Sequence, residues 1–317
     1  MTIPYSLDLR IDPLGTRIGF DDKIVLMGSC FTEHIGGKLN DRYFDTLMNP
    51  NGIVFNPLSL LEPLKRVIDG NGYSEGDLVR QNELWSSIYH HGKFSNRNKE
   101  KVLNAINKEQ LSFSAYLKQA DWLIVTFGTA WVYTLKERDE IVANCHKLPQ
   151  HFFSKHLLSV DEIAERWLKI MEQLLAINPA LNVIFTVSPV KHLRDGVHEN
   201  NLSKATLLLA IEKMKSKNIH YFPAYELVID DLRDYRFFDS DGAHPNSMAI
   251  DYVFDKFSHY AFAEKTQQAM KAVSDYRKLE QHRPLDTSQE NTDKLKYHAE
   301  AMRDKIIELY PILKNRL

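Results

Sequence analysis

The chain has 317 residues, 44% of them hydrophobic and 26% charged, which is the composition of an ordered chain with a sizeable core and excludes disorder over most of the length. Lys and Arg number 40 against 42 Asp and Glu, a net charge of −2; this balance argues against broad nucleic-acid or anionic-membrane binding, both of which need a concentrated positive field. The 2 cysteines cannot build a disulfide framework or a four-thiolate zinc site. The length fits one α/β domain with insertions as well as it fits two domains. The N-terminus MTIPYSLDLRIDPLG lacks the basic and apolar regions of a signal peptide. No apolar run reaches the roughly 18 residues of a membrane span, so a cytoplasmic location is the expectation.

In chain order, IVLMG at 24–28 predicts a first strand, followed by Gly28-Ser29-Cys30-Phe31 and a helix over 32–41. YFDTLM at 43–48 predicts a second strand, followed by the turn-rich NPNGIVFNP and a helix over 57–68. Residues 70–120 break the rhythm with Gly, Asn and Lys and carry a helical stretch near 98–119; they read as a helical insertion forming a lid or a side of the cleft. WLIVTF at 122–127 predicts the third strand. Ser159, three residues before Glu162, is a capping box opening a helix over 159–176. VIFTV at 183–187, a helix over 202–217, IHYFP at 219–223 and a helix over 246–263 complete the pattern. These apolar runs match strands buried on both faces, and their alternation with helices predicts an α/β fold with a parallel sheet. The last 50 residues are polar with helical spacing at 290–313, a peripheral helix or hairpin. The division expected is an α/β domain over 1–265, with the insertion near 70–120, and a helical C-terminal extension over 266–317.

In open α/β sheets the carboxyl ends of the strands converge on one crevice, where strand-to-helix loops and helix N-termini meet. The distinctive residues here all follow predicted strands: Ser29 and Cys30, Gly52, Gly128 and Thr129, Ser188, and the segment Asp239–Asn246. A nucleophile at 29 or 30 would sit at a helix N-terminus that favours a thiolate or oxyanion. Asp241-Gly-Ala-His244 spaces a carboxylate to orient an imidazole base. Asp195-Gly-Val-His198 repeats that spacing in a polar loop and reads as a turn with a helix cap. Pro245 suits the first turn of the helix that follows His244. His90 and His91 are adjacent, lack the i, i+4 spacing of a helical metal site and read as surface histidines, so no metal is expected. No Walker loop or G-x-G-x-x-G fingerprint is present, so no nucleotide cofactor is expected.

With these pieces placed, the chain resembles the SGNH, or GDSL-type, hydrolase superfamily and, more narrowly, the GSCFA family. The residues that carry the resemblance are Gly28-Ser29-Cys30-Phe31-Thr32, Asn49-Pro-x-Gly52, Asn56-Pro57, Gly128-Thr129-Ala130-Trp131, Asn144-Cys145-His146-Lys147, Ser188-Pro-Val-x-His192 and Asp241-x-x-His244-Pro-Asn. The resemblance implies a three-layer α/β/α sandwich around a roughly five-stranded parallel sheet, of the SGNH or flavodoxin-like kind. It also implies ester or acyl-transfer chemistry with no metal or organic cofactor.

Two departures from the superfamily pattern bear on mechanism. Its Gly-Asp-Ser block places Ser29 at the Asp position and Cys30 at the nucleophile position, and a slip of one residue would restore Ser29. The strand-terminal glycine favours Cys30. Its Gly-x-Asn block places Ala130 where an amide would donate to the oxyanion. Loss of one such donor costs about 10²–10³ in rate. The replacement donors to test are backbone N–H groups near residue 30 and at Gly52, with Asn49, Asn56 and Thr129. Trp131, His192, Arg194, Asn144 and His146 are the candidate substrate contacts. The expected function is an esterase or acyl hydrolase acting through a covalent acyl-enzyme on an O-acylated carbohydrate or other small-molecule ester. Acyl transfer at the same site and a non-catalytic binding protein are the alternatives. The sequence leaves the oligomeric state open.

Overall fold

The computed structural model describes residue 7 and residues 9–281 and 289–317, with the side chains of 281–292 set aside. Part of the N-terminal stretch read for a leader therefore lies outside the described residues. Among them, no helix is long and apolar enough to cross a membrane.

Strand β1 (Lys23–Gly28) runs into helix α1 (Cys30–Asn40), then β2 (Asp45–Met48) and α2 (Pro57–Asp69). The hairpin β3 (Leu78–Gln81) and β4 (Leu84–Ser87) precedes α3 (Lys99–Leu117) and β5 (Trp122–Phe127). Next come β6 (Trp131–Leu135), β7 (Glu140–Val142) and β8 (Phe153–Leu157), then α4 (Val160–Ile177) and β9 (Asn182–Val187). Helix α5 (Val197–Met214), β10 (Ile219–Tyr221), the short α6 (Ala224–Glu226), α7 (Ser247–Ala261), α8 (Glu264–Gln281) and α9 (Gln289–Leu309) follow.

The main sheet has the order β10-β9-β5-β1-β2, and every pairing in it is parallel. This is the flavodoxin-like order, in which the chain moves out from β1 to β2 and then jumps back across β1 to β5. The reversal leaves a crevice beyond the carboxyl ends of β1 and β5. Side chains alternate along each strand, so each face needs its own cover. Val25, Met27, Leu123, Val125, Phe185 and Val187 enter one buried cluster with α2, α4, α5 and the end of α3. Ile24, Leu26, Trp122, Ile124 and Ile184 enter a second, with α1, α7 and residues Leu14, Ile18 and Phe20. These two helical layers around the five-stranded sheet are the expected sandwich.

Three features add to or differ from the sequence reading. First, the region 70–120 also contributes to the main core. Phe113 and Leu117 of α3 lie in the main core, so its C-terminal half is part of the crossover to β5. Second, residues 131–157 form an antiparallel sheet of order β7-β6-β8, which the sequence reading passed over. Third, α5 starts at Val197 and not near 202, because Gly196 at φ 108° lets the chain turn directly into it. The stretch 266–317 also supplies Ala269, Met270, Val273, Tyr276 and Ile306 to the second cluster, so its helices bury apolar surface in common with the α/β layers.

Candidate active site

The end of β1 is fixed by backbone geometry. Gly28 has φ 142°, and a Cβ there would lie 2.2 Å from the carbonyl oxygen of Thr126 on β5. Its N–H donates to Oδ1 of Asn49 (2.9 Å), and its carbonyl accepts from Val54 (3.1 Å). The chain then turns into α1 with Ser29 as N-cap. Ser29 is fully buried, and its hydroxyl oxygen caps nothing and has no hydrogen-bond partner. Cys30, the next residue, is half-buried, forms no disulfide and lines a hollow of about 540 Å³ together with His244, His34, Glu33, Val190 and Asp239. Of the two adjacent candidates, only Cys30 reaches the crevice.

Burial pushes the Cys30 thiol up. The N–H groups of Phe31 and of Cys30 itself oppose that shift, Glu33 adds to it, and Lys204 opposes it. Burial is the largest of these effects, so the group rests as a thiol and a base must take its proton. His244 lines the same hollow. Its Nδ1 meets Oδ2 of Asp241 at 2.6 Å, while Oδ1 of Asp241 accepts from the backbone N–H of Ala243 (2.8 Å) and of His244 (3.0 Å). The two backbone donors, followed by the imidazole, hold the Asp241 carboxyl well below the usual carboxylate range. With Nδ1 committed, Nε2 is left as the nitrogen that can accept a proton. Helix α7 begins at Ser247 behind the N-cap Asn246, so Pro245 precedes the cap and is not in the first turn.

Beneath the crevice lies a residue that the sequence reading missed. Lys204 of α5 is fully buried, and its Nζ donates to the carbonyls of Gly128 (2.6 Å) and Ser188 (2.7 Å), at the ends of β5 and β9. Burial pulls it down to about 7, opposed by the charge of Cys30. The available signal was a lysine on the apolar face of α5, in register with buried Leu207 and Ile211. A buried lysine with a lowered pKa binds its proton less tightly when folded than when unfolded. Stability therefore rises with pH between about 7 and the ordinary 10.5. Wild type is expected to gain stability relative to Lys204→Met between about pH 6 and about pH 9, as read by urea midpoints. His34 is a second omission. It stands one helical turn after Cys30 and lines the same hollow, and its signal was the i, i+4 spacing from a cysteine at a helix start.

The candidate oxyanion donors are engaged elsewhere. The Gly52 N–H donates to the Asn49 carbonyl (2.8 Å), and the Thr129 N–H to the Phe55 carbonyl (3.1 Å). The Thr129 hydroxyl shares a hydrogen bond with Ser203 (3.0 Å) and accepts from the Trp131 N–H (3.2 Å). Asn56 caps α2 through the Ser59 N–H. The amide oxygen of Asn49 holds Gly28, and its Nδ2 lies 3.4 Å from Glu33. The backbone donors nearest the sulfur along the chain are the N–H groups of Cys30 and Phe31, at the start of α1. Ala130 is buried, with its N–H held by the Ser203 hydroxyl (2.7 Å).

Trp131, His192, Arg194 and Asn144 line a second hollow of about 630 Å³, distinct from the one that Cys30 and His244 line. His146 is not among its lining residues. Its Nε2 is paired with the Ser87 carbonyl (2.7 Å), which ties its loop to β4. His90 is also corrected: it is buried, its Nδ1 is paired with the Ser87 hydroxyl (2.8 Å), and burial lowers it to about 3. Among the described residues no group of three His, Cys, Asp or Glu is placed to hold a metal ion. His198 belongs to α5, while Asp195 pairs with Lys155. The second Asp-x-x-His is thus the turn and helix start it resembled.

Fold and site together define a flavodoxin-like α/β protein with a thiol and a carboxylate-held imidazole at its switch-point crevice. The sequence profile of the GSCFA family matches residues 23–257, and the chain belongs to that family. No curated protein matches the sequence. Among solved structures, a carbohydrate esterase family 3 from Talaromyces cellulolyticus is similar at 9% identity, with 80% of this chain and 99% of that one covered, at a TM-score of 0.35. An acetyl esterase mutant with acetate ion is similar at 10% identity over 80% and 100%, with a TM-score of 0.37. A family 3 carbohydrate esterase from Clostridium thermocellum is similar at 10% over 80% and 98%, with a TM-score of 0.31. Similarity at this level carries no argument about what the chain acts on.

Proposed function

We propose that this protein is an acyl hydrolase of the SGNH kind, acting on an O-acylated carbohydrate or other small-molecule ester through a thioester on Cys30. The observation that carries this reading is the shared hollow: Cys30 and His244 line it together, and Asp241 holds the imidazole by Nδ1. Nε2 of His244 takes the thiol proton as sulfur attacks the acyl carbon. The N–H groups of Cys30 and Phe31 stabilise the oxyanion, with the N-terminus of α1 behind them. His244 returns the proton to the departing alkoxide, which leaves as an alcohol. The same nitrogen then deprotonates water, the thioester breaks, and the released acid leaves a protonated Cys30. No step needs a metal or cofactor.

The test is acid-quenched mass spectrometry after exposure to 4-nitrophenyl acetate. An acetyl group removable by hydroxylamine is expected on Cys30, present in Ser29→Ala and absent in Cys30→Ala. Turnover that survives Cys30→Ala, or that disappears in a folded Ser29→Ala protein, would overturn the assignment. Repeating the assay with added alcohol or amine acceptors reads out transfer in place of hydrolysis.

A further inference from the structure

The 630 Å³ hollow has a lining that the proposed acyl chemistry does not use. Phe55, Trp131, Tyr133 and Phe153 give it ring-shaped walls. Its free charges are positive. Arg194 and Lys147 line it, and neither forms an ion pair among the described residues. The single carboxylate on its wall, Asp195, is paired with Lys155, whose ammonium lies 4.6 Å from the centre of the Trp131 ring. Burial pushes the Cys145 thiol on the same wall up, and the charge of Arg194 opposes that shift.

The loop carrying Lys147 is held in place. His146 and Lys147 both adopt left-handed backbone, with φ 48° and 60°. Two such non-glycine residues in succession are costly and persist only where the surroundings fix them. Here the His146 N–H donates to Oδ1 of Asn144 (2.8 Å), and the His146 ring is paired with Ser87. The segment 188–192 borders both this hollow and the one that Cys30 lines. Val190 lines the Cys30 side, and His192, two residues on, lines the other.

We propose that this hollow binds the alcohol part of the substrate, and that this part is a ring bearing a carboxylate or a phosphate. A guanidinium and an ammonium supply the attraction for the anion, and the rings supply stacking area. As a substrate subsite the proposal rests on the Cys30 reading; as a ligand site it is measured by binding alone.

Calorimetric titration at low ionic strength with 4-hydroxybenzoate, phenyl phosphate and the uncharged methyl 4-hydroxybenzoate tests it. At least one anion is expected to bind about tenfold or more tightly than the neutral ring, and comparison of the two anions tells carboxylate from phosphate. Arg194→Gln and Lys147→Gln should each reduce that preference, as should about 0.5 M salt. A matching preference in kcat/KM is expected for 4-acetoxybenzoate over its methyl ester. Equal binding of charged and neutral rings, no measurable binding of either anion, or a preference unchanged in both variants overturns the proposal. Selective anion binding without turnover of either acetate supports the ligand site and removes the Cys30 reading. Turnover without charge preference does the opposite.

Discussion

His244→Ala is expected to lower kcat/KM for ester hydrolysis by about 10³-fold, roughly 4 kcal/mol of transition-state stabilisation, with the fold intact. The size follows from the resting state of the nucleophile. Burial keeps Cys30 protonated, so without a base the attacking thiolate is scarce and the leaving alkoxide has no proton donor. The His244 side chain is half exposed, so its removal should not unfold the protein. Asp241→Asn should cost less, because both partners are half exposed and water can replace part of the lost contact. His34→Ala is the necessary comparison. His34 lines the same hollow, and burial pulls its imidazole down. It is expected to leave turnover little changed. The reverse pattern, with His34→Ala losing activity and His244→Ala retaining it, would transfer the base role and remove the Asp241–His244 pair from the mechanism.

Gly28→Ala is expected to destabilise the fold by roughly 3 kcal/mol or more. Two independent constraints act there. The backbone sits at φ 142°, where L side chains are strained, and an added Cβ would lie 2.2 Å from the Thr126 carbonyl oxygen, inside the β1–β5 pair. Relief requires the central strands to part, which would also disturb the Asn49 and Val54 contacts that set the Cys30 turn. Gly37 is the control. It lies within α1, and a Cβ there would meet nothing within 4 Å. Gly37→Ala should therefore stabilise by about 0.5–1 kcal/mol through helix propensity and chain entropy. Urea midpoints read both. A Gly28→Ala protein of wild-type stability would mean that the turn before Cys30 is not fixed in this way.

Much of the sheet was legible because its strands are buried on both faces. IVLMG and WLIVTF are continuous apolar runs, and the structure places β1 and β5 on them. Ser159 and Glu162 form the capping box their spacing predicts. The second strand begins two residues later than read because Tyr43, at φ 62°, turns the chain before it. Strand β8 escaped because its exposed residues interrupt the apolar pattern; FSKHL carries one buried residue in five. His90 was misread because its burial comes from packing against Tyr73 and Phe94, at 4.5 and 5.2 Å between ring centres, neither of which adjoins it in sequence.

By itself the sequence determined the alternation of strands and helices, the glycine that ends β1, and the Asp241–His244 pair, because each depends on neighbours a few residues apart. Three things were decided only by tertiary structure: the burial of Ser29 beside an accessible Cys30, the engagement of Gly52, Asn56 and Thr129 in internal bonds, and the position of Lys204 under the crevice. Each depends on segments far apart in the chain, for which solvent exclusion and hydrogen-bond partners are set by how the layers close over one another and not by local spacing.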